Sequence, residues 1–176
     1  KTMHFEFTEW LHSIEPLKKG PGVKENWFFA NSTHVVDLAF CLAGKPKNWC
    51  AYYGTGHNNW HPKTNFTGAG ITEHNILFSY CSNWESAGRW AIELMTDKRR
   101  IYLKPMEKVH VQMKGSIAID EHACYLEIDE KFKPGLLKQT EAFIKNNHTL
   151  LLNLEGHKEQ SSQIFNKILN GNHSDR

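Results

Sequence analysis

Apolar and polar residues alternate along several short stretches of the chain, and this alternation is typical of half-buried strands. Phe5 and Phe7 lie on one side of an opening strand, which Trp10 continues. The segment from 49 to 56 is a second, aromatic strand. From 71 to 116 four more strands follow in succession: ITEHNILFSYCS, GRWAIELMT, RRIYLKP and EKVHVQMKG. Turn residues at 83–88 and 96–98 separate the first three of these strands, so we predict an antiparallel meander.

Three other segments repeat apolar residues at helical spacing. The first, NSTHVVDLAFCLAG, begins at Asn31 with capping-type residues and ends at Gly44, ahead of Pro46. The second starts at Pro134, and the third covers 159–169. We expect the second helix to pack on the sheet through Leu137, Thr140, Phe143 and Ile144. The succession of strands and helices predicts one α+β domain over residues 1–176.

The segment from His57 to Gly70 shows neither the alternation of a strand nor the spacing of a helix, so we predict a long polar loop there. Loops of that length inside a compact domain are usually functional or disordered. Trp60 and His61 lie within it. We therefore interpret this loop as a contact surface.

Composition narrows the classes of function. Hydrophobic residues make up 40% of the 176 positions and charged residues 23%, as in ordinary globular proteins. The 21 basic and 19 acidic residues nearly cancel, and no basic stripe is present, so a nucleic-acid partner is not expected. No apolar run is long enough to span a bilayer, and no membrane association is expected.

The cysteines and the first residues bear on the cellular compartment of the protein and on whether the chain is part of a longer one. Cys41, Cys50, Cys81 and Cys124 form no CxxC pair, and we interpret them as buried thiols of a cytoplasmic protein. With no signal peptide present, we interpret the four NxS/T triplets as chance matches. Because the chain opens at Lys1 directly in a strand pattern, we expect it to be part of a longer protein.

His34 and Asp37 are the strongest candidates for chemistry, because residues three apart share a helix face. A histidine there can exchange a proton with a substrate hydroxyl, and a carboxylate one turn later can orient its ring. The alternative is a helix-capping segment whose histidine is only hydrogen bonded. The eleven histidines form no ligand set, so no metal is expected. Neither GTG at Gly54 nor GAG at Gly68 extends to the GxGxxG of a dinucleotide site.

ENWFFANSTHVVDLAFCLAGKPKNW resembles the most specific segment in the C-terminal domain of the Gfo/Idh/MocA oxidoreductases, which act largely on sugars, inositols and nucleotide-linked sugars. His34, Asp37, Gly44 and Pro46 match that family's histidine, its aspartate three residues later and its Gly-x-Pro exit. GLLKQTEAF and LEGHKEQSSQIFNKI resemble later helices of the same domain. The resemblance covers most of the chain and implies an open, largely antiparallel β-sheet with helices packed on one face.

The same resemblance implies a function shared between two domains. NAD or NADP binds to a Rossmann domain that is missing here, so no cofactor is expected on this fragment alone and the fragment is not active by itself. His34 matches the catalytic histidine, which moves the proton of the oxygen whose carbon exchanges a hydride. Asp37 matches an aspartate with a structural role. The resemblance also implies that the open sheet face forms homo-oligomers.

One position departs from the family, since many members carry an aspartate four residues before the histidine, where this chain has Ala30. The first hypothesis is a substrate-binding and oligomerisation domain of an NAD(P)-dependent oxidoreductase. The candidate substrate-binding residues are Asn31, Lys24, Trp27, Trp60 and His61. The alternatives are a non-catalytic binding or scaffold domain of the same fold and, third, a metal-dependent hydrolase, which would need a metal that is not expected.

Overall fold

The computed structural model describes residues 1–123, 127–147, 149 and 151–173. The strands are β1 (Thr2–Glu6), β2 (Pro46–Thr55), β3 (Lys63–Thr72), β4 (Leu77–Asn83), β5 (Ala91–Met95), β6 (Arg99–Leu103), β7 (Val109–Met113), β8 (Asp120–Glu121) and β9 (Asn172–His173). The α-helices are α1 (Leu11–Ile14), α2 (Thr33–Ala43), α3 (Glu127–Lys131), α4 (Leu136–Ile144), α5 (Leu154–Gln160) and α6 (Asn166–Leu169). π-helical turns over Phe28–Ser32 and Ser161–Phe165 lead into α2 and α6.

In the described residues the strands form one open sheet of nine, in the order β8-β7-β6-β5-β1-β4-β3-β2-β9. Neighbours are antiparallel except β1 with β4 and β2 with β9. The predicted α+β class and the open, largely antiparallel sheet are confirmed.

The predicted uninterrupted meander is wrong in one place. β1 lies between β4 and β5, so those two strands are not neighbours, and β4 runs parallel to β1. The reason is burial: Met3, Phe5 and Phe7 are almost fully buried, and a strand with such an inner side is most stable in the centre of a sheet. Alternation predicts strands but does not specify their neighbours.

The core lies on one face of the sheet, between the strands and the helices. Phe40 of α2 makes edge contacts with Phe5 and Phe78. At the other end of the helical layer, the Nζ atom of Lys167 lies 4.4 Å from the ring centre of Trp49, whose own ring contacts Phe78. These contacts place α2 and α6 on the same face, which confirms the predicted one-sided arrangement for these helices.

The predicted packing of α4 on the sheet is wrong. No residue of α4 is buried, and Phe143 and Ile144 are 76% and 75% exposed. The inner sheet face is already covered by α2 and the helical segment 154–169, so α4 contacts α3 instead. Helical spacing shows that a helix has an apolar side, but it does not show what covers that side.

The loop predicted over residues 57–70 is also shorter than expected, because β3 already begins at Lys63. Gly68 and Gly70, which resemble loop residues in sequence, lie inside this strand. A methyl group at Gly70 would collide with Trp49, and one at Gly68 with the Tyr80 ring, so both glycines permit close packing. Only residues 56–62 form the turn.

The cysteine prediction fails for three of the four residues, since Cys41, Cys50 and Cys81 are free and exposed. On β2 and β4, the inward positions next to Cys50 and Cys81 are taken by Ala51 and Tyr80, so strand alternation points the thiols outward. The fourth cysteine, Cys124, lies outside the described residues.

The contrast between Phe5 and Phe143 is directly testable. Phe5→Ala is expected to lower the free energy of unfolding by about 3–5 kcal/mol, because a fully buried ring is lost from the core. Phe143→Ala is expected to change it by less than about 0.5 kcal/mol. Urea unfolding measures both, and losses of similar size would contradict the exposed position of α4.

Candidate functional site

A buried carboxylate, that of Glu9, organises the end of the sheet at which β1 terminates. Glu9 is only 1% exposed. Its Oε1 accepts hydrogen bonds from Ser32 Oγ at 2.9 Å, Asn31 Nδ2 at 3.0 Å and Trp90 Nε1 at 3.1 Å. Its Oε2 forms an ion pair with Arg89 Nη1 at 3.0 Å. A buried charge is stable only when it is paired and hydrogen bonded, and Glu9 meets both conditions.

Three elements bring these partners together. Glu9 follows β1, Asn31 and Ser32 belong to the π-helical turn before α2, and Arg89 and Trp90 immediately precede β5. β5 pairs with β1 in the antiparallel direction, so the start of β5 lies beside the end of β1. The Glu9 carboxylate therefore connects three segments that are distant in sequence, and we call Glu9, Asn31, Ser32, Arg89 and Trp90 the Glu9 cluster.

The start of the helical segment differs from the prediction. Asn31 and Ser32 were expected to begin the helix as capping residues, whereas helical backbone already starts at Phe28. No side-chain capping bond is made by Ser32. Both polar side chains instead donate to Glu9, which explains why two residues typical of helix caps lie inside a helical turn.

Arg89 is held on two sides by indole rings. Its guanidinium carbon lies 4.5 Å from the ring centre of Trp90 and 5.3 Å from that of Trp10. Trp10 is in turn fixed by a 2.6 Å hydrogen bond from Nε1 to the Gly88 carbonyl. Cation–π contacts of this kind add to the ion pair with Glu9, so together they restrict the orientation of Arg89.

His34 stands exposed beside this cluster, in the first turn of α2. Its ring centre lies 6.4 Å from that of Trp90. Asp37 is half-buried one turn later, and within the described part of the chain no hydrogen bond or ion pair joins it to His34. The imidazole is therefore open to a ligand, and its surroundings are fixed by the Glu9 cluster rather than by Asp37.

Two more candidate substrate-binding residues, Lys24 and Trp27, lie just before the π-helical turn Phe28–Ser32. Lys24 Nζ donates to the Glu15 carbonyl at 2.5 Å, which closes the loop between α1 and that turn. Trp27 is buried, and Lys19 Nζ lies 5.9 Å from its ring centre. The structure thus gives both residues contacts within the loop, and no contact in the described residues joins them to His34.

Trp60 and His61 lie in the turn 56–62. His61 is only 3% exposed, its ring centre is 4.6 Å from that of Trp84, and its Nδ1–H donates to the Lys63 carbonyl at 2.6 Å. Burial lowers the pKa of His61 below its usual value. Trp60 is half-buried beside it. Across the described ranges, no contact links this turn to His34.

The sequence analysis did not identify four residues as parts of the site: Glu9, Arg89, Trp90 and Trp10. One signal was present: Glu9 continues the inward-facing series of Met3, Phe5 and Phe7 at a spacing of two. An acidic residue in that position requires a buried partner. Nothing in the sequence identifies the partner as Arg89, which is 80 residues away along the chain.

The carboxyl end of β1 differs chemically from a dinucleotide-binding site. At the carboxyl end of β1, where a nucleotide-binding fold presents glycine amides to phosphate, this chain places the buried carboxylate of Glu9. Among the described residues, no group of three or more His, Cys, Asp or Glu side chains is arranged to hold a metal. None of the helices in these ranges has the length and hydrophobicity that crossing a bilayer requires.

Comparison with known proteins gives matches in structure alone. No family model matches the sequence, and no curated protein matches it. The dehydrogenase MviM from Clostridium difficile aligns with 96% of this chain and 54% of its own at 14% identity, with a TM-score of 0.66. UDP-N-acetylglucosamine 3-dehydrogenase GnnA from Acidithiobacillus ferrooxidans aligns with 82% of this chain and 45% of its own at 12% identity, with a TM-score of 0.53.

A third similar structure, from Desulfitobacterium hafniense, is named as an NADPH-dependent oxidoreductase. It aligns with 89% of this chain and 50% of its own at 11% identity, with a TM-score of 0.60. The chain shares its fold with one part of these Gfo/Idh/MocA-type oxidoreductase structures. It spans about half the length of these structures.

Removing the charge of Glu9 tests the cluster. Glu9→Gln is expected to lower the free energy of unfolding by about 1–3 kcal/mol, because a buried amide cannot accept hydrogen bonds from all the donors that the carboxylate satisfies. Glu25→Gln, at an exposed position, is the matched control and is expected to change it by less than about 0.5 kcal/mol. Chemical denaturation measures both, and a Glu9→Gln variant as stable as the wild type would contradict the cluster.

The buried His61 predicts a pH dependence. Because its pKa is lower in the folded than in the unfolded chain, the unfolded state binds more protons, and stability is lost as pH falls below about 6.5. The loss between pH 7 and pH 5 should be smaller in His61→Gln than in the wild type. His122→Gln, at an exposed position, should keep the wild-type dependence. If the free energy of unfolding of the wild type and of His61→Gln fell equally between pH 7 and pH 5, the burial of this ring would be contradicted.

Proposed function

We propose that this chain is the substrate-binding and oligomerisation part of an NAD(P)-dependent oxidoreductase that acts on a sugar, inositol or nucleotide-sugar substrate. The observation that supports this most strongly is the position of His34, an exposed imidazole beside polar groups that the buried Glu9 carboxylate holds in place. The likeness in fold to dehydrogenases, including one named for UDP-N-acetylglucosamine, supports the same reaction class.

His34 is the proposed catalytic residue, which exchanges a proton with a substrate hydroxyl. Asn31 is the proposed contact beside it. Its amide N–H group is engaged with both Glu9 oxygens at 3.0 and 3.2 Å, so its side-chain oxygen is left to accept from a second hydroxyl. Asp37, one turn further along α2, has a structural role in this proposal.

The remaining candidates form an outer layer of the proposed site. Lys24 and Trp60 supply contacts from the loop before α2 and from the turn 56–62, since both are only partly buried. Trp27 and His61 are buried in the same two segments, and in this proposal each becomes a direct contact only if its loop moves on binding. The nicotinamide cofactor, which supplies hydride chemistry when bound, is held by residues outside this chain in the proposal.

Oligomerisation is proposed through the open sheet face, which no helix of the described residues covers. Alternation places His4, Ser79, Cys81, Glu93 and Tyr102 on that face. An uncovered sheet face of this size is suited to a symmetric partner. The three free thiols are typical of a reducing compartment, and we assign the protein to the cytoplasm on that basis.

The proposed function is tested on the product of the complete gene. NAD(P)H binding is titrated first, and oxidation of UDP-N-acetylglucosamine and of simple sugars is then followed by nicotinamide absorbance. His34→Ala is expected to lower the rate by about 10²–10⁴-fold, with nucleotide affinity unchanged, because only proton transfer is removed. His122→Ala, an exposed histidine beside β8, is the matched control.

Two results would contradict the oxidoreductase. A protein that binds neither nucleotide would lack the hydride carrier, and a His34→Ala variant with full activity would remove the proposed catalytic residue. Sugar binding that persists without nucleotide binding would instead favour the non-catalytic binding domain, which the exposed Ala30 one turn before His34 also favours.

A further inference from the structure

We propose that Arg89 forms an anion subsite, so that the ligand of this site is an acidic sugar, with a carboxylate or a phosphate, rather than a neutral one. The inference rests on the proposed function, since it assumes that a sugar-type ligand contacts His34. It adds the charge of that ligand and the residue that recognises it.

The first argument is the set of donors that Arg89 keeps. A guanidinium carries five N–H groups, and in the described residues only Nη1 makes a hydrogen bond, to Glu9. The Arg89 side chain remains 44% exposed. Its remaining donors are therefore available in a planar fork, which is the geometry that binds carboxylate and phosphate oxygens in pairs.

The second argument concerns charge. Glu9 is shared among three neutral donors, from Ser32, Asn31 and Trp90, as well as Arg89. Those hydrogen bonds already stabilise part of its negative charge, so the outward edge of the guanidinium stays positive. Two other carboxylates lie nearby, Glu6 against Gly88 and Glu85 in the groove beside Trp10, and neither makes an ion pair with Arg89 among the described residues.

The third argument is rigidity. The rings of Trp10 and Trp90 lie against the guanidinium, and the Glu9 ion pair fixes its inner edge. A long arginine side chain normally loses conformational entropy when it binds an anion. Here that cost is met on folding, so the outer edge is ordered before a ligand arrives.

The fourth argument is the neighbourhood. Trp90 contacts both His34 and Arg89, so one ligand can place a hydroxyl at the imidazole and an acidic group at the guanidinium across the width of this indole. A surface groove continues from Trp10 along His12, Ser86 and Gly88. This groove leaves room for the rest of a nucleotide-linked sugar.

The test is calorimetric titration of the complete gene product with two matched pairs of probes. Glucuronate is compared with glucose for a carboxylate, and N-acetylglucosamine 1-phosphate with N-acetylglucosamine for a phosphate. The acidic member of at least one pair should bind about tenfold to hundredfold more tightly, as expected for hydrogen bonds to a charged group. The pair that shows the difference identifies the source of the anion.

The variants assign that difference to Arg89. Arg89→Gln should abolish the difference in affinity between each acidic probe and its neutral partner, because the charge-assisted contacts to the anion are lost. Any loss of affinity that both members of a pair share reports the disturbed Glu9 cluster instead. Arg99→Gln, an exposed arginine at the opposite end of β5 and β6, should leave the difference intact. If Arg89→Gln fails to fold, Arg89→Lys keeps the ion pair and should give an intermediate loss.

Equal affinities within both pairs, or a preference for the acidic probe that survives in Arg89→Gln, would overturn the subsite. If neutral sugars bind and are oxidised without any preference for acids, the subsite fails and the proposed function stands. If neither NADH nor NADPH binds but the Arg89-dependent preference for the acidic probe remains, the proposed function fails and the anion subsite stands.

Discussion

The arrangement of the candidate site depends on one buried charge. Glu9 lies at the end of the central strand β1 with only 1% exposure, and a carboxylate in that place is stable only with donors on both oxygens. Those donors come from the turn before α2 and from the residues before β5. The ion pair and hydrogen bonds of Glu9 therefore position Asn31 and Arg89, and through Trp90 they define the surroundings of His34.

This constraint also relates the fold to the site. β1 is central because its inward side chains are large and apolar, and its central place brings α2 above it and β5 beside it. An edge strand at this position would have left Glu9 near solvent, where an ion pair contributes little. The burial of Phe5 and Phe7 thus places Glu9 in a low-dielectric environment. There its ion pair with Arg89 holds the neighbouring residues of the candidate site in position.

Much of the fold followed from local patterns. Helix α2 ends at Ala43, and Gly44 follows with a φ of 85°, as the Gly-x-Pro exit predicted. Strand alternation predicted β5, β6 and β7 as well. Three features were beyond such patterns: the neighbours of β1, the exposure of α4 and the strand character of Gly68 and Gly70. Each depends on contacts with segments distant along the chain, which periodicity does not encode.

The site was predictable only in part, for the same reason. His34 could be selected because its spacing from Asp37 and the family resemblance coincide. Asn31 could be selected because it follows Ala30, the position at which many family members carry an aspartate, and the structure places it one turn before His34 with its amide on Glu9. Arg89 and Trp90 had no such signal, because their roles arise from the pairing of β5 with β1. His61 resembled a loop ligand in sequence, yet its ring packs on Trp84, since the turn that carries it is short and folds inward.

The most direct test of the account is the response of the indole N–H signals to an acidic sugar in the nuclear magnetic resonance spectrum of the complete gene product. The account predicts that glucuronate or UDP-N-acetylglucosamine shifts the signals of Trp90 and Trp10, while Trp49, under Lys167 and away from the Glu9 cluster, keeps its position. Saturable shifts confined to Trp49, with Trp90 and Trp10 unchanged, would place the ligand elsewhere and contradict the role of the Glu9 cluster.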